Sequence, residues 1–496
     1  MKPTNSKNLI VPILASLTLI IIIAYGALKI SPLFAHPINP KTKYPINFQA
    51  DDDYYNIPDG VKYQSNLVSQ KKGLITFSTE AGHNYYLSGN DTTNTSFLYS
   101  EIIADNYIPT TQKRLPLNIS LVIDRSGSMH GDKLNNVKEA AKLVIDKLSD
   151  NDYISIVVYE SNVGVLQKSI AVKDKEALKQ IINNITDDGG TNLGGGMLAG
   201  YEQVKSTYHN GYVNRVLLLS DGLANEGITD FNILTQTSKK WLNDEGISIS
   251  TFGVGNDYNE NLMTALAENG SGNYYYIKEA NQMSSVIEKE VNGLLSVVAQ
   301  EAVLKFELPK DIIVTKVYGG NYEVDNNILV VKLKDIFANE KKSVLIKFKI
   351  KNTAQGELIF NTNLSYLDAT NNNQACSLNN QNSIKPTINN EVYLSNFSER
   401  VMQQCIVYES NDMMEKTLQE VDEKNFDKAK VSGSTNKDYY YMNSSKVSAN
   451  EDMVKQEATI NKYDINLQTI EKVTEEELKT IQKESKSENY TVRKKK

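Results

Sequence analysis

Residues 117–129 of the chain read LNISLVIDRSGSM. The run from Leu117 to Ile123 is short and apolar, which is typical of a strand that is buried on both faces. It ends at Asp124, and the polar stretch Arg125-Ser126-Gly127-Ser128 follows at once. Apolar residues then recur at helical spacing, at Leu134, Val137, Ala141, Val144, Ile145 and Leu148. The segment therefore predicts a buried strand, a polar turn and a helix.

The same alternation continues to about residue 298. Further apolar strands are predicted from Tyr153 to Tyr159, Val213 to Leu219, Ile247 to Val254 and Asn273 to Lys278. Helices are predicted from Asp174 to Ile185, Phe231 to Asp244, Asn259 to Glu268 and Met283 to Val298. Strands that are mostly apolar along their length and alternate with helices indicate an α/β fold, in which a mostly parallel central sheet carries helices on both faces.

Polar side chains follow two of these strands. Asp124, Ser126 and Ser128 come after the first strand, and Asp221 comes after the strand that ends at Leu219. A Gly-rich stretch, Gly189-Gly190, precedes Thr191 and opens a helix. Because the carboxyl ends of parallel strands lie at one edge of a sheet, we expect these side chains to converge there. Hydroxyl and carboxylate oxygens favour Mg²⁺, Ca²⁺ or Mn²⁺ over zinc or copper.

The combination of Asp124-x-Ser126-x-Ser128 with Thr191 and Asp221 resembles the metal-ion-dependent adhesion site of von Willebrand factor type A domains. The resemblance covers about residues 115–290, and it extends more loosely to bacterial proteins similar to calcium-activated chloride channel proteins and inter-alpha-trypsin inhibitor heavy chains. It implies a Rossmann-like domain in which the two serines and the threonine ligate Mg²⁺, or Ca²⁺ or Mn²⁺. It implies that the two aspartates act directly or through water, and that an acidic group of a protein partner completes the shell.

We place this domain at residues 115–298. The sequence on either side of it shows a different pattern of apolar residues. Residues 71–114 and 299–395 are β-rich, and apolar side chains alternate with polar ones in the second segment, for example at Leu304, Phe306 and Leu308. Period-two alternation predicts an antiparallel, β-sandwich-like region, with the α/β domain either inserted in it or followed by it.

The remainder of the chain predicts mostly helix. Residues 396–430 form a helical segment, residues 431–456 are rich in Ser, Asn and Tyr and are predicted as a loop, and residues 457–496 form a helical tail. A capping box between Thr474 and Glu477 is expected if a helix restarts there. The basic end, from Arg493 to Lys496, is expected to be a solubilising frayed terminus.

The first 30 residues predict a membrane anchor. Lys2 and Lys7 precede an uncharged run of 20 residues from Leu9 to Leu28, long enough to cross a bilayer as a helix. The positive flank places the amino terminus in the cytoplasm and the body outside it, in the periplasm or at the cell surface. The alternative is a cleaved signal peptide and a secreted protein. Residues 31–70, which are rich in proline, are predicted as an extended linker that lifts the body off the membrane.

In an exported body, Cys376 and Cys405 could form a disulfide, and two free thiols are the equal alternative. A net charge of −7 gives no support for nucleic-acid binding. No Ser-His-Asp set, phosphate-binding loop or redox motif is visible. The sequence therefore predicts a binding protein rather than an enzyme, whose partner presents an acidic residue. The alternatives are a component of a membrane transport or channel-like assembly and a metal-dependent hydrolase. The oligomeric state stays open.

Overall fold

The computed structural model describes residues 47–48, 53–89, 94–109 and 114–495. The predicted membrane segment from Leu9 to Leu28 lies outside these residues. Among the helices that the structure describes, none combines the length and the apolar character that a membrane crossing requires.

The strands are numbered in chain order, and their bounds are β1 (Asn47–Phe48), β2 (Val68–Lys72), β3 (Ile75–Ala81), β4 (Tyr85–Leu87), β5 (Asn94–Ala104), β6 (Leu117–Asp124), β7 (Tyr153–Tyr159), β8 (Val163–Ala171), β9 (Val213–Ser220), β10 (Ser248–Val254), β11 (Tyr274–Ile277), β12 (Val297–Glu307), β13 (Ile312–Tyr318), β14 (Tyr322–Asp325), β15 (Ile328–Phe337), β16 (Lys341–Ile350), β17 (Leu358–Asp368) and β18 (Gln374–Thr387).

The α-helices are numbered in the same way, and their bounds are α1 (Asp132–Lys147), α2 (Lys175–Asn183), α3 (Leu193–Ser206), α4 (Phe231–Glu245), α5 (Glu260–Asn269), α6 (Met283–Leu295), α7 (Asn390–Leu394), α8 (Glu399–Asp422), α9 (Phe426–Ser444), α10 (Glu451–Thr469) and α11 (Glu475–Arg493).

The central sheet of the α/β region has the strand order β11-β10-β9-β6-β7-β8. Its ladders are parallel from β11 to β7. Successive residues of β6 point to opposite faces: Ile123 packs in a cluster with α1, α2 and α6, whereas Val122 packs in a second cluster with α3, α4 and α5. This arrangement confirms the predicted parallel sheet with helices on both faces.

The edge strand β8 was not predicted, and it runs antiparallel to β7. Its side chains are mostly half-exposed or exposed along its whole length, and Gln167 and Lys168 interrupt the apolar pattern. An edge strand needs only one partner and only partial burial, so its sequence carries neither a continuous apolar run nor a clean alternation.

Two further sheets pack face to face, with the strand orders β1-β13-β16-β5-β3-β2 and β14-β15-β12-β17-β18-β4. Their inner faces share one apolar cluster, in which the rings of Phe348 and Phe360 meet with centroids 5.2 Å apart. Strand β5, which precedes the α/β region, pairs antiparallel with β16, which follows it, in the register Leu98↔Ile346. The chain thus leaves the sandwich after β5, builds the α/β region and returns at β12.

The helices that follow residue 396 cover the outer face of the sheet that contains β5. Phe97, Tyr99 and Leu345 of that sheet pack in one cluster with Cys405 and Tyr408 of α8. Most side chains of α8 are buried, because other helices surround it as well.

The predicted loop at 431–456 is wrong, since α9 extends to Ser444 and α10 begins at Glu451. Ser, Asn and Tyr have modest helix propensity, but here packing on α8 outweighs it. The Tyr439 hydroxyl donates to Glu409 Oε2 (2.8 Å), and the Tyr440 hydroxyl donates to the Met453 carbonyl (2.7 Å). A Cβ on Gly433 would lie 2.5 Å from Leu467 Cδ1, so this glycine permits the close approach of α9 and α10.

The predicted extended linker is also wrong over its described part, residues 53–70. Ile57 is fully buried in the helical cluster, and its backbone N–H donates to Asn443 Oδ1 (2.9 Å). The Tyr63 hydroxyl donates to the Lys446 carbonyl (2.6 Å). The proline spacing suggests an extended chain, but the contacts of Ile57 and Tyr63 tie this segment to the helices, and β2 begins at Val68.

The possible disulfide is not formed: Cys376 and Cys405 are both free. Cys376 lies in the core between the two sheets of the sandwich. Cys405, on α8, lies in the cluster that α8 forms with the outer face of the sheet that contains β5. Each thiol fills apolar space in its own cluster, and burial raises the pKa of Cys405 well above its usual value.

The predicted helical tail consists of α10 and α11, and the expected capping box forms at Thr474 and Glu477. The expected frayed basic terminus is wrong. Arg493 pairs with Glu268 (2.9 Å) and Glu415 (2.7 Å), and Lys495 pairs with Asp452 (3.0 Å).

Helix α11 also docks on the α/β region. Tyr490 is buried against Tyr274 of β11, with ring centroids 5.6 Å apart. Lys483 donates to the Tyr258 carbonyl (2.7 Å) and pairs with Glu260 (2.6 Å), which also accepts from Lys486 (2.6 Å). The end of the chain therefore joins the helical layer to the α/β region.

We expect the variant Glu260→Gln to lower the free energy of unfolding by about 2 kcal/mol at pH 7, since two largely buried ammonium groups lose their shared carboxylate. Burial raises the pKa of Glu260, but Lys486 and Lys483 outweigh it and lower the pKa to about 2. In the unfolded chain the pKa is about 4.3. The ionised Glu260 therefore stabilises the fold fully above about pH 4.3, and this contribution is lost as the pH falls toward 2.

Urea unfolding of the wild type and the variant at pH 7 and near pH 2.5 measures this effect, with the exposed Glu202→Gln on α3 as the control. The difference between wild type and Glu260→Gln should be largest at pH 7 and small near pH 2.5. An equal difference at both pH values would contradict the account.

Candidate metal-binding site

Two neighbouring parallel strands position the two aspartates. Strands β6 and β9 pair in the register Ile123↔Leu219, so Asp124 ends one strand beside Ser220, the last residue of the other. Asp221 is the next residue of the chain. Both aspartates are 0 % exposed. The sheet edge thus buries two carboxylates close together, as the sequence predicted.

The two serines lie in the turn that follows β6. A short 3₁₀ turn at Gly127–Met129 brings the Ser126 and Ser128 hydroxyl oxygens to 3.0 Å from each other. The Ser126 N–H donates to Asp124 Oδ1 (2.9 Å), and the Ser128 hydroxyl donates to Asp221 Oδ1 (2.7 Å). The turn therefore links both aspartates through hydrogen bonds, with Ser128 at the exposed side.

Thr191 arrives from a third segment, just before α3. Its N–H donates to Asn225 Oδ1 (2.8 Å), and its carbonyl accepts from the Asn225 N–H (3.1 Å). Gly222 marks where the hydroxyls meet, because a Cβ there would lie 3.1 Å from Thr191 Oγ1 and 3.4 Å from Ser128 Oγ. The structure thus brings all five predicted side chains together, while their role as metal ligands stays a prediction.

The carboxylate of Asp124 is held in place but poorly solvated. The Ser220 hydroxyl donates to its Oδ2 (2.8 Å), opposite the N–H of Ser126. Burial, opposed by the hydrogen bonds from Ser126 and Ser220, raises the pKa of Asp124 to about 6. A cation beside this carboxylate would favour its charged form. A cation bound by these donors would therefore stabilise the charged carboxylate of Asp124.

Lys133, in the first turn of α1, reaches into the site. Its ammonium lies 2.6 Å from Asp221 Oδ2, while Asp221 Oδ1 accepts from Ser128. Asp221 is thus held at both oxygens. Two carboxylates and one ammonium leave the site with a single negative charge.

Arg125 and His130, which flank the serines, contact residues of the surrounding loops. Arg125 donates to the Thr186 carbonyl (3.1 Å) and pairs with Glu160 (3.3 Å). His130 is exposed, with Nδ1 3.1 Å from Asp187 Oδ2. These contacts hold the loop that carries Thr191 against the turn that carries the serines.

Sequence reasoning missed Lys133, Ser220 and Asn225, which position the predicted residues. Ser220 directly precedes Asp221, so its position at the end of the strand could be predicted from the sequence. Lys133 lies five residues after Ser128, and its position in the first turn of the next helix is the one signal that the sequence offered. Nothing in the sequence near Asn225 indicates that it holds Thr191.

The chemistry of the site follows from its donors. It offers hydroxyl and carboxylate oxygens. In the part of the chain that the structure describes, no group of three or more His, Cys, Asp or Glu is arranged so that it could hold a metal ion. Oxygen donors with few charges suit a hard divalent cation that keeps some of its positive charge. Asp124, Ser126, Ser128, Thr191 and Asp221 would hold such an ion, which could bind a further anionic ligand from outside.

Residues 118–289 match the family model of the von Willebrand factor type A domain. This part of the chain is a von Willebrand factor type A (VWA) domain. The match spans β6 to α6 and contains all five candidate residues. VWA domains commonly bind partner proteins through a metal-ion-dependent adhesion site.

Two proteins similar in sequence each match over about two fifths of this chain. YfbK of Escherichia coli K12 is 34 % identical over 192 residues, which cover 38 % of this chain and 33 % of YfbK. The mouse inter-alpha-trypsin inhibitor heavy chain H3 is 28 % identical over 200 residues, which cover 38 % of this chain and 22 % of that protein. The chain therefore matches a third or less of the length of these two relatives.

Solved structures share more of the architecture. A von Willebrand factor type A protein from Catenulispora acidiphila superposes with a TM-score of 0.60 at 15 % identity, covering 88 % of this chain and 98 % of that one. The ArnB paralog VWA2 from Sulfolobus acidocaldarius gives 0.56 at 18 % identity, covering 82 % and 98 %. The likeness in fold thus extends beyond the VWA domain to the sheets and helices around it.

We expect Lys133→Met to bind Mg²⁺ about tenfold more tightly than the wild type, because it removes a positive charge beside Asp221 and leaves the site more negative. Isothermal titration of Mg²⁺ measures the change. Lys138→Met is the matched control, since Lys138 lies on the same helix and donates to the Asn183 carbonyl instead. Weaker binding by Lys133→Met would contradict the electrostatic account and indicate that Lys133 mainly orients Asp221.

Proposed function

We propose that the chain is a membrane-anchored, exported protein that binds an acidic group of a partner protein through a divalent metal ion in its VWA domain. The observation that carries the proposal is the convergence of Asp124, Ser126, Ser128, Thr191 and Asp221 at one sheet edge. Mg²⁺ is the proposed ion, with Ca²⁺ or Mn²⁺ as the alternatives.

The charge of the site supports a partner that presents a carboxylate. Asp124 and Asp221 with Lys133 sum to one negative charge, so a divalent ion would leave one positive charge in excess. An ion held mainly by neutral hydroxyls stays electrophilic and attracts a further anionic ligand. Aspartate or glutamate of a partner is the proteinaceous ligand of that chemistry.

The accessibility of the site supports binding from outside. Asp124 and Asp221 lie at the bottom and are fully buried, whereas Ser128 and Gly127 at the top are exposed. A partner can therefore approach the ion from the side of the serines while the aspartates stay shielded. The site offers hydroxyl and carboxylate donors to an ion at a point that a partner can reach.

The proposed anchor is the run from Leu9 to Leu28, with Lys2 and Lys7 on its amino-terminal side. An uncharged run of this length suits a bilayer core, and the positive flank favours a cytoplasmic amino terminus. Protease added to intact cells should digest the body of the protein, and a body that is cleaved only after lysis would contradict export. A body that leaves with the medium would support the cleaved, secreted alternative.

We expect the wild type to bind Mg²⁺ at a single saturable site, and Asp124→Ala to lose this binding by at least about 100-fold, since a buried anionic donor is removed. Isothermal titration of Mg²⁺ into residues 46–496 measures both. Asp124→Asn, which preserves the shape of the side chain, separates the loss of charge from a change in packing. Asp188→Ala is the control, because Asp188 is exposed in the loop before Thr191.

Circular dichroism of each variant shows whether the fold is retained. Binding that is unchanged in folded Asp124→Ala and Asp124→Asn would place the ion elsewhere and contradict the proposal. Loss of binding in Asp188→Ala as well would indicate that the loop, rather than Asp124, determines it.

A further inference from the structure

A polar cavity of about 230 Å³ lies between the VWA domain and the β-sandwich. Strands β9 and β10 begin beside it, whereas Asp124 and Asp221 lie where the parallel strands end. The eight residues of β9 set these two ends about 25 Å apart, so the cavity is separate from the candidate metal site. We call it the bulge cavity, and its polar lining includes Asn210, Ser248, Glu301, Lys334, Asp335 and Asn373.

A β-bulge between β12 and β15 forms the sandwich side of the cavity. Two residues of β12, Gln300 and Glu301, lie opposite the single residue Asp335 of β15. Glu301 and the neighbouring Lys334 both have left-handed backbones, with φ of 51° and 57°. This conformation is uncommon for long side chains, and bulges often redirect side chains next to functional sites. The bulge thus brings two charged residues of opposite sign to one cavity.

Glu301 and Lys334 carry the unpaired charges of the cavity. Among the residues that the structure describes, neither side chain has an ion-pair or hydrogen-bond partner. Asp335, in contrast, pairs with the buried guanidinium of Arg215 (3.4 Å). Lys334 pairs in the ladder with Ala302, the residue after Glu301, and residues paired across a ladder have Cα atoms about 5 Å apart. A ligand that neutralises both charges therefore needs a positive and a negative group close together.

The hairpin between β17 and β18 adds a polar atom that lacks a partner. Within the described part of the chain, the buried Oδ1 of Asn373 accepts no hydrogen bond. Most buried polar groups in proteins are hydrogen-bonded, so such an atom calls for a donor. The Nδ2 of the same side chain lies against the loop before β9, because a Cβ on Gly211 would be 2.7 Å from it. An ammonium in the cavity would supply the donor that Oδ1 lacks.

Hydrogen bonds hold the two sides of the cavity together. Gln300 Nε2 donates to the Tyr212 carbonyl (3.2 Å), which also accepts from Asn214 Nδ2 (3.1 Å). The pairing of Arg215 on β9 with Asp335 on β15 makes a second connection between the VWA domain and the sandwich. The walls are therefore formed before any ligand arrives, which lowers the entropic cost of binding.

We propose that the bulge cavity binds a small zwitterion, a free α-amino acid, with its ammonium at Glu301 and Asn373 Oδ1 and its carboxylate at Lys334. A cavity of this volume holds several waters or one small molecule. An α-amino acid carries its ammonium and its carboxylate on the same carbon, which matches two neighbouring charges of opposite sign. A simple anion or cation would leave Glu301 or Lys334 unpaired. This binding is independent of the metal-dependent function proposed above.

Isothermal titration of the full chain in lipid nanodiscs, in the presence of EDTA, tests the proposal. The probes are glycine, L-serine and L-valine, each beside its analogue without the ammonium and its analogue without the carboxylate. For valine these analogues are 3-methylbutanoate and isobutylamine. We expect at least one free amino acid to bind with a dissociation constant between about 10 μM and 1 mM, the range for ligands of so few atoms. Loss of either charged group should weaken binding at least about tenfold, since a hydrogen bond to a charged group is lost.

Two variants locate the binding, and each has a matched control on the same strand. Lys334→Met and Glu301→Gln should each weaken binding of the free amino acid at least about tenfold. Lys334→Met should leave the affinity for the amine unchanged, and Glu301→Gln should leave the affinity for the carboxylate unchanged. The controls are Lys332→Met on β15, where Lys332 pairs with Glu323 (3.3 Å), and Glu307→Gln on β12. Both controls should bind as the wild type does.

Circular dichroism of each variant shows whether the fold is retained, and the comparison of analogues on the wild type needs no variant. Absence of binding by all three amino acids would overturn the proposal. Equal affinity for an amino acid and both of its analogues would do the same, because the two charges would then not be recognised. Binding that both variants keep would place the ligand elsewhere. Binding that requires Mg²⁺ and is lost in Asp124→Ala would assign the amino acid to the metal site, which would overturn this proposal while supporting the proposed function.

Discussion

The parallel pairing of β6 with β9 is the constraint on which the candidate site depends. Its register sets Asp124 beside Ser220, so that Asp221 follows at the same edge of the sheet. Both carboxylates are buried there, which is costly for charged groups unless other groups compensate. Hydrogen bonds from Ser126, Ser128 and Ser220 supply part of that compensation, and Lys133 supplies a counter-charge. A divalent cation would supply the rest.

The sheet that carries the candidate site is joined to the sandwich and to the last helix. The VWA domain starts and ends within the β-sandwich, since β5 and β16 pair across it. The last helix returns to the domain, where Tyr490 packs on Tyr274 and Lys483 pairs with Glu260. The VWA domain is thus fixed at its chain ends and at its β11 edge, while Gly127 and Ser128 at the candidate site are exposed.

The VWA domain, and the convergence of the candidate residues at one sheet edge, could be predicted from the sequence for a physical reason. Strands buried on both faces are mostly apolar, so Leu117 to Ile123 and Val213 to Leu219 stand out, and the polar residues after them mark the sheet edge. The role of Lys133 could not be predicted, because it depends on a contact across space with Asp221, which no local pattern encodes. The edge strand β8 could not be predicted, because half-exposed strands lack a regular apolar pattern.

Errors outside the domain have a common origin in tertiary packing. Residues 431–456 have a loop-like composition, but α9 is stabilised by contacts of Tyr439 and Tyr440 with α8 and α10. The terminal Arg493 and Lys495 look like a solvated basic end, but acidic residues distant in sequence pair with them. Composition and local periodicity report on a segment by itself, and these segments are stabilised by their neighbours.

The central claim is that Asp124, Ser126, Ser128, Thr191 and Asp221 hold one divalent ion. Anomalous diffraction from crystals grown with Mn²⁺ tests it most directly, because Mn²⁺ scatters anomalously and accepts the same oxygen donors. The account predicts one strong peak about 2.2 Å from the hydroxyl oxygens of Ser126 and Ser128, at the edge of the sheet that carries Asp124 and Asp221. A peak only at another place in the molecule, or none in crystals at saturating Mn²⁺, would contradict it.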